Sequence, residues 1–384
     1  MKKLIFRKFT KDITQFFLLV SLSIALIVWV IQAVNFLDIV TEDGHGFKIY
    51  FLYTLLSLPK IFSKILPFVY FISIFYIIVK YENNNELIIF WTIGIKKINF
   101  VNVLIKFSIF YLLLQLLLTT YIVPNTLDKA RSFIRASNLD LYSSIIQEKK
   151  FIDTVKNLTI FVEEKKDNGE LKNIFLKEKI DKNKYQIIFS KKGFITSKNN
   201  KSNLLLINGK ILNIDNDQTT LIKFTETELN LSKFSTKTTT HPKIQEITTY
   251  EIFSCLVSLT NFSNLIINNY IKDPKKLINC NKENLQNSFQ EIFKRIILPF
   301  YLPVLTLIAT LIVLKSKDDY NFFKYKVILF IFGVIMVLIS EVSTRYYGTN
   351  IFKNISLILV PILLFSLIYF YFLKELRIKK PIKR

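Results

Sequence analysis

The chain has 384 residues, 51% of them hydrophobic and 15% aromatic, and its mean hydropathy is +0.34. Soluble domains rarely combine those fractions, whereas membrane-embedded chains do, because most of their surface faces lipid. The net charge of +23 would suit a nucleic-acid partner, since basic patches attract phosphates, but the cations flank apolar runs instead of forming one groove, which argues against it.

At the N-terminus Lys2, Lys3, Arg7, Lys8 and Lys11 precede an apolar stretch, as in a signal peptide. The stretch Phe16–Leu37 is too long for a signal core and no small-x-small cleavage site follows it, which predicts an uncleaved first span. Charge-free runs then recur at Ile65–Val79, Phe107–Val123, Ile296–Leu314, Val327–Ser340 and Ile355–Leu373. The second and fifth can lengthen through polar residues, toward Leu55 and Tyr347. Since roughly 20 apolar residues cross a bilayer as a helix, six spans are expected, three before residue 124 and three after residue 295. Residues 1–123 therefore hold spans one to three, 124–290 an inserted region, and 291–384 spans four to six with a basic tail.

The N-tail, the loops after spans two and four, and the C-tail together hold 18 Lys and Arg residues, Lys106 at the border of span three not counted. The short loops on the other side hold three, Lys48, Arg345 and Lys353. By the positive-inside rule both termini are cytoplasmic and the inserted region lies outside.

The loop after span two carries a signal of its own. Leu87-Ile88-Ile89-Phe90-Trp91 follows Asn84-Asn85-Glu86 and precedes Gly94, Lys96 and Lys97. That pattern predicts a short interfacial helix at about 83–95, with Asn at its start and Gly at its end. It suits a passive surface helix or a peg that docks into a cytoplasmic motor. In the second case Glu86 offers a carboxylate to a partner arginine.

In the inserted region, residues from about 148 to 232 read as eight or so short strands, which suggests a sandwich or jelly roll. Leu158–Glu164 and Leu171–Glu178 flank the turn signal Asp167-Asn168-Gly169. Lys192-Gly193, Asn208-Gly209 and Asp215-Asn216-Asp217 read as further turns. The domain suits either a structural lid or an open sandwich facing an apolar ligand. Pro124–Gln147, Thr248–Asn269 and Lys282–Arg295 read as connecting helices. Ile252–Ile267 is apolar but broken by polar residues, and a seventh span there would spoil the charge asymmetry. Cys255 and Cys280 suit two structural thiols better than a disulfide.

The histidines, His45 and His241, leave no raw material for a His-based metal or catalytic cluster. There is no phosphate-binding G-x-x-x-x-G-K-[ST], no G-x-S-x-G, no HExxH and no CxxC, so neither cofactor nor ATP hydrolysis is expected of this chain. Two constellations of charge at membrane depth remain. Lys60 and Lys64, framed by Pro59 and Pro67, either snorkel to the outer interface or face a cavity that meets anionic headgroups. Glu341 and Arg345 form either a helix-stabilising i,i+4 pair or part of a lining.

The sequence resembles the LptF/LptG family, permease subunits of the lipopolysaccharide-export ABC transporter. The likeness covers nearly the whole chain. It rests on the three-plus-three layout around an external β domain, on Leu58-Pro59 with Leu66-Pro67, and on Asn85-Glu86-Leu87-Ile88-Ile89 followed by Gly94, which resembles the family's NELVV…G coupling segment. Tyr121–Pro124, Gln147–Phe151, Leu158–Val162, Asn168–Leu171, Glu291, Arg295 and Pro299 match further local features, and the start of the β domain is more similar to LptF.

The resemblance implies a polytopic α-helical membrane protein with six transmembrane helices and an inserted periplasmic β jelly-roll-like domain. It implies lipopolysaccharide as substrate, with an LptG-type permease, an LptB-type ATPase dimer and an LptC-type periplasmic bridge as partners. Glu86, Leu87 and Gly94 carry over as the ATPase-coupling segment. Spans one and five carry over as lateral gates, with Val28, Gln32, Asn35 and Phe36 on the first and Val337, Glu341 and Arg345 on the second. One departure concerns the outer end of span one, Gln32–Asp38, which lacks the cations family members often carry there; either the partner subunit or Lys60 and Lys64 supply them, or the lipid has a less anionic headgroup. Two rivals are a mechanotransmitting ABC protein, which usually has its external domain between spans one and two, and a membrane enzyme acting on lipids, which would need converging acids or histidines.

Overall fold

The computed structural model describes residues 2–37, 40, 46–137, 146, 148–155, 157–166, 169–181, 184–198, 201–215, 218–230, 243–259, 284–348 and 351–378. Among the described residues six helical segments are long and apolar enough to cross a membrane: Lys2–Asn35, Phe47–Asn83, Lys97–Ile134, Leu285–Leu314, Phe322–Tyr346 and Phe352–Leu376. They match the six apolar runs and extend beyond them, because a helix continues into the charged residues at the interface.

In chain order the helices are α1 (Lys2–Asn35), α2 (Phe47–Leu56), α3 (Leu58–Asn83), α4 (Glu86–Thr92), α5 (Lys97–Leu117), α6 (Val123–Ser137), α7 (Thr249–Leu259), α8 (Leu285–Ile292), α9 (Tyr301–Thr310), α10 (Phe322–Tyr346) and α11 (Ile351–Ile378). A π-helical turn, Leu118–Ile122, follows α5, and a second, Phe293–Ile297, follows α8. Of the suspected seventh span, only the part up to Leu259 lies among the described residues, as α7.

The chain divides into two compact units, one of residues 1–30, 57–128 and 242–384, the other of 31–56 and 129–241. In the first, α3 and α9 form the centre: 67% and 78% of their spans' most apolar windows are buried, against 17% for α1 and 11% for α11. Polar contacts tie the spans together, including Tyr70 with Thr306 at 2.9 Å, Gln115 Nε2 donating to the Ser63 carbonyl at 2.8 Å, and Tyr369 donating to Asn102 at 3.2 Å. Phe71 packs on α10 where Gly333 leaves room: a Cβ there would lie 1.9 Å from the Phe71 ring.

In the second unit, Tyr50 donates to the Ala33 carbonyl at 2.9 Å and Phe36 meets Tyr53 edge-on at 5.1 Å. Its sheet has six antiparallel strands in sequence order: β1 (Phe151–Val155), β2 (Leu158–Lys165), β3 (Glu170–Asp181), β4 (Lys184–Lys198), β5 (Lys201–Asp215) and β6 (Gln218–Asn230). The inserted β domain is thus present, but as a meander of fewer, longer strands than expected. Lys192-Gly193 and Asn208-Gly209 do not turn; they run inside β4 and β5, where Gly193 pairs with Leu206 and Gly209 with Ser190. Tertiary pairing overrides the local turn preference, and the glycines are needed for space. A Cβ at Gly193 would meet Ile174 at 2.5 Å, and one at Gly209 the Phe189 carbonyl at 2.3 Å.

Among the described residues the ladder skips one position on each of β2 to β6 along a line through Glu163, Asn173, Lys191, Asn208 and Thr225. Asn173 and Asn208 have φ of 49° and 55°, a left-handed conformation that Asn tolerates better than most residues. The inward alternation shifts there: Leu204 and Leu206 are buried before Asn208, whereas Ile211 packs inward after it. Such irregularities bend a strand and re-aim its side chains.

Candidate functional site

Three regions gather the chemistry. The first is α4, which is preceded by Asn85 at φ 62° and followed by Gly94 at φ 77°. Ile95 N–H donates to the Phe90 carbonyl and Gly94 N–H to that of Trp91, both at 3.0 Å, a Schellman-type stop whose left-handed position favours Gly. Asn85 makes no side-chain cap; it turns the chain sharply between α3 and α4, and Asn84 Nδ2 instead contacts Glu86 Oε1 at 3.1 Å.

Of the predicted coupling residues, Glu86 is half-buried at the start of α4 and Leu87 is fully buried in the bundle core, together with Phe90. Ile88 and Ile89, about half exposed, form the free face. Nearby, Lys97 Nζ donates to the Val313 carbonyl at 2.6 Å, and Lys317 N–H donates to Glu82 at 3.2 Å, so the loop after α9 is fastened to the end of α3.

The second region lies about 35 Å along α3 from the first, by the 1.5 Å rise per residue. Lys60 and Lys64 come together with Lys294, Arg295, Glu291, Ser63, Thr119 and Gln245 around a cavity of about 30 Å³, room for about one water. Arg295, only 2% exposed, is the hub. It donates to Glu291 at 3.0 Å, to the Ile247 carbonyl and Thr249 Oγ1 at 2.9 Å, and to the Gln245 and Ile244 carbonyls at 3.1 and 3.4 Å. Those five bonds match the five N–H groups of a guanidinium. Thr119 donates to the Arg295 carbonyl at 2.8 Å, so the two π-helical turns face each other. Sequence reasoning singled out Lys60 and Lys64; Lys294 and the hub role of Arg295 went unnoticed, because their partners lie some 50 residues away or are backbone carbonyls.

The predicted gate residues sit on poorly buried stretches. On α1 Val28 and Gln32 are half-buried and Asn35 is exposed, and Phe36, in the turn after it, is half-buried; on α10 Val337 is half-buried and Glu341 and Arg345 are exposed. Glu341 and Arg345 form no ion pair; the contact at this end is Gln290 Nε2 donating to the Arg345 carbonyl at 3.1 Å. Cys255 is disulfide-bonded, against the expectation of separate thiols.

The third region is one row of the sheet. Phe151, Phe161, Phe175, Phe189, Lys210 and Lys223 are successive register partners across all six strands, so they share a face. Ring centroids of Phe151 and Phe161 are 4.6 Å apart, those of Phe175 and Phe189 5.3 Å, and Lys210 Nζ lies 5.2 Å over the Phe189 ring. The row behind it, Ile152, Ile160, Leu176, Ile188 and Ile211, points the other way into the sheet's own core. An apolar groove of about 780 Å³ runs along the Phe–Lys row and the bend line, from Phe161 to Lys223. Its acid, Glu163, accepts from Asn173 at 2.6 Å. Phe161, Phe175 and Phe189 alternate visibly in the sequence, but nothing in it shows that they align with Lys210 and Lys223.

The family described as "Lipopolysaccharide export system permease LptF/LptG" matches residues 7–375. An uncharacterized protein of Rickettsia prowazekii (strain Madrid E) is 25% identical over 193 residues, 50% of this chain and 53% of that protein. The match thus spans about half the length of this relative.

Proposed function

The chain belongs to the lipopolysaccharide export system permease LptF/LptG family, and from that premise we propose that it is an LptF-type subunit of an ATP-driven transporter that extracts lipopolysaccharide. The protein is a multi-pass inner-membrane transport subunit. Its proposed partners are an LptG-type permease that completes a cavity, an LptB-type ATPase dimer that docks on α4, and an LptC-type bridge that receives the lipid. In this reading α4 and both termini face the cytoplasm and the β sheet lies in the periplasm. The 18-to-3 distribution of basic residues supports that orientation, and a disulfide at Cys255 suits the oxidising side.

The observation that carries the substrate reading is the six-residue row of the sheet. Lipopolysaccharide joins acyl chains to a phosphorylated sugar headgroup. Four phenylalanines in line offer apolar contact, and Lys210 and Lys223 at the far end offer charge to phosphate. Lys60, Lys64 and Lys294 around the small cavity would meet the same headgroup earlier on the route, supplying cations that the outer end of α1 lacks. Val28, Gln32, Asn35 and Phe36, with Val337, Glu341 and Arg345, are proposed to line the lateral gates. Glu86 would meet a motor arginine while Leu87 and Gly94 fix the peg's pose.

The test places a photocrosslinker at Phe175 in the full complex, in vesicles containing lipopolysaccharide. ATP-dependent lipid adducts that weaken with Lys210→Glu and Lys223→Glu are expected. Adducts to protein alone would make the β domain a structural lid and remove it from the route.

A further inference from the structure

The outer turn of α1 is completed by α2. The last four carbonyls of a helix have no partner within it, and a carbonyl left without one away from water is costly. At the end of α1, Phe36 N–H reaches the Gln32 and Ala33 carbonyls at 3.0 and 3.1 Å. The Ala33 carbonyl also accepts the Tyr50 hydroxyl at 2.9 Å, from a side chain that is only 8% exposed. Three residues on, the Tyr53 ring meets Phe36 edge-on at 5.1 Å. Positions i and i+3 share one face of a helix, so α2 applies that face to the end of α1. Phe47, Phe51 and Leu55, at i, i+4 and i+8, form an exposed face of the same helix.

Both the strap and the turn it holds belong to the second compact unit. The division between the units crosses α1 after residue 30 and passes between α2 and α3 after residue 56. At that second crossing α2 ends at Leu56 and α3 starts at Leu58, with Pro59 in its first turn. Pro59 has no N–H to donate across the joint, so the helical ladder is one bond short there. A hydroxyl and a ring meanwhile join α2 to α1. Of the gate positions proposed on the first span, Gln32, Asn35 and Phe36 fall in the strapped turn, and Val28 lies before it.

We propose that Tyr50 and Tyr53 are positioning residues for the gate: they strap the outer turn of α1 to α2, so that Gln32, Asn35 and Phe36 move with α2 as one hairpin when the gate opens. This rests on the reading of the first span as a lateral gate and adds what orients its outer turn. Neither tyrosine has to touch lipid; each acts through α1.

The test uses the permease–ATPase complex in nanodiscs that contain lipopolysaccharide. One pair of spin labels, Val34→Cys on α1 and Phe51→Cys on α2, reports the hairpin. A second pair, Val34→Cys with Leu117→Cys at the end of α5, reports the gate; the three sites are 45–59% exposed. Distances are taken with and without ATP–vanadate trapping, and lipid extracted per ATP hydrolysed is measured in unlabelled preparations. In the wild-type background trapping should change the second distance and leave the first as it is. Tyr50→Phe removes one hydroxyl and keeps the ring, and the net worth of one hydrogen bond corresponds to a ratio of strapped to unstrapped turns that falls roughly 2- to 12-fold. The first distance distribution should broaden accordingly and lipid moved per ATP should fall, with hydrolysis itself at the wild-type level. Tyr53→Leu removes the other contact and should show the same split, whereas Phe51→Leu on the exposed face should show neither change. A first distance that shifts on trapping in the wild-type background would overturn the strap, as would a wild-type ratio of lipid to ATP in both tyrosine variants. Loss of hydrolysis together with extraction in both would also overturn it, leaving the tyrosines a purely structural role. A second distance that stays fixed while extraction proceeds would instead overturn the gate reading beneath it.

Discussion

Two spans of this molecule, α1 and the one that contains α9, have equal mean hydropathy, yet 17% of the first and 78% of the second span's window is buried. Hydropathy measures willingness to leave water, and lipid satisfies it as well as protein does. What separates the two is side-chain fit. The α9 span carries Leu302, Val304, Leu305 and Thr306 into the core at every angle, with Thr306 bonded to Tyr70. In α1 the fully buried residues form one stripe, Phe9, Ile13, Phe17, Ser21 and Ala25.

The contrast breaks most completely at Arg295. Replacing it by Met leaves Glu291 and four backbone or hydroxyl acceptors without their donors. Removing one partner of a buried ion pair costs about 3–5 kcal/mol, so Arg295→Met should abolish accumulation of the folded chain or lower its thermal midpoint in detergent sharply. Lys294→Met, beside it on the same turn, should change the midpoint little and reduce lipid binding instead. Equal midpoints for wild type and Arg295→Met would remove Arg295 as a structural hub.

The next comparison is a matched pair. Leu305 is 1% exposed in α9 and Leu22 is 63% exposed on α1. Leu305→Ala should destabilise by about 2–5 kcal/mol through the cavity it leaves, and Leu22→Ala by less than ~0.5 kcal/mol, the range of changes away from packed sites. Equal midpoint shifts would mean that α1 is as tightly packed as the centre. At Gly333 the rim meets the centre: Gly333→Ala drives a methyl into the Phe71 ring and should cost about 1–3 kcal/mol by overpacking. Phe71→Leu in the same chain should recover part of it.

These residues also mark where the sequence was legible. Six spans, the short helix before Gly94 and the connecting helices follow from apolar length and cap chemistry, which are local. The strand count did not follow, because Asn208-Gly209 looks like a hairpin turn until β4 and β6 pair on both sides of it. Of the other turn signals, Asp167-Asn168 and Asn216-Asp217 lie outside the described residues, and Asp215 ends β5. In the site, Glu86 and the two lysines of α3 stand out by type and spacing. The Phe–Lys row and the Arg295 hub depend on register and on carbonyls far along the chain, and no spacing reveals those. Glu341 and Arg345 show the reverse: ideal i,i+4 spacing with no ion pair formed, since both side chains are exposed and little is gained by holding them together.

The smallest expected effect carries the contrast between held and open into the sheet, where the start of β3 is fastened by charge. Glu170 accepts from Lys166 and lies beside Lys192, each at 3.2 Å. Those bonds, the one from Lys166 first, hold its carboxyl below the ordinary value of 4.5. A carboxylate with a lowered folded pKa adds stability that is fully present above the unfolded value and lost as the pH falls through the folded one. Amide exchange at Leu171 should therefore be unchanged from neutral pH down to the ordinary carboxylate range, and its protection should fall below it. The two lysines are exposed although Glu170 is buried, and pairs with exposed partners contribute little, so the change should stay confined to the ends of β3 and β4 nearest Glu170 and leave the Phe161–Phe175–Phe189 row protected. In Glu170→Gln the acid-dependent step should vanish. A step of unchanged size in that variant would assign it to Glu164, whose carboxyl is likewise held low by Lys172 at 2.9 Å, and would leave the fastening of β3 on its β2 side.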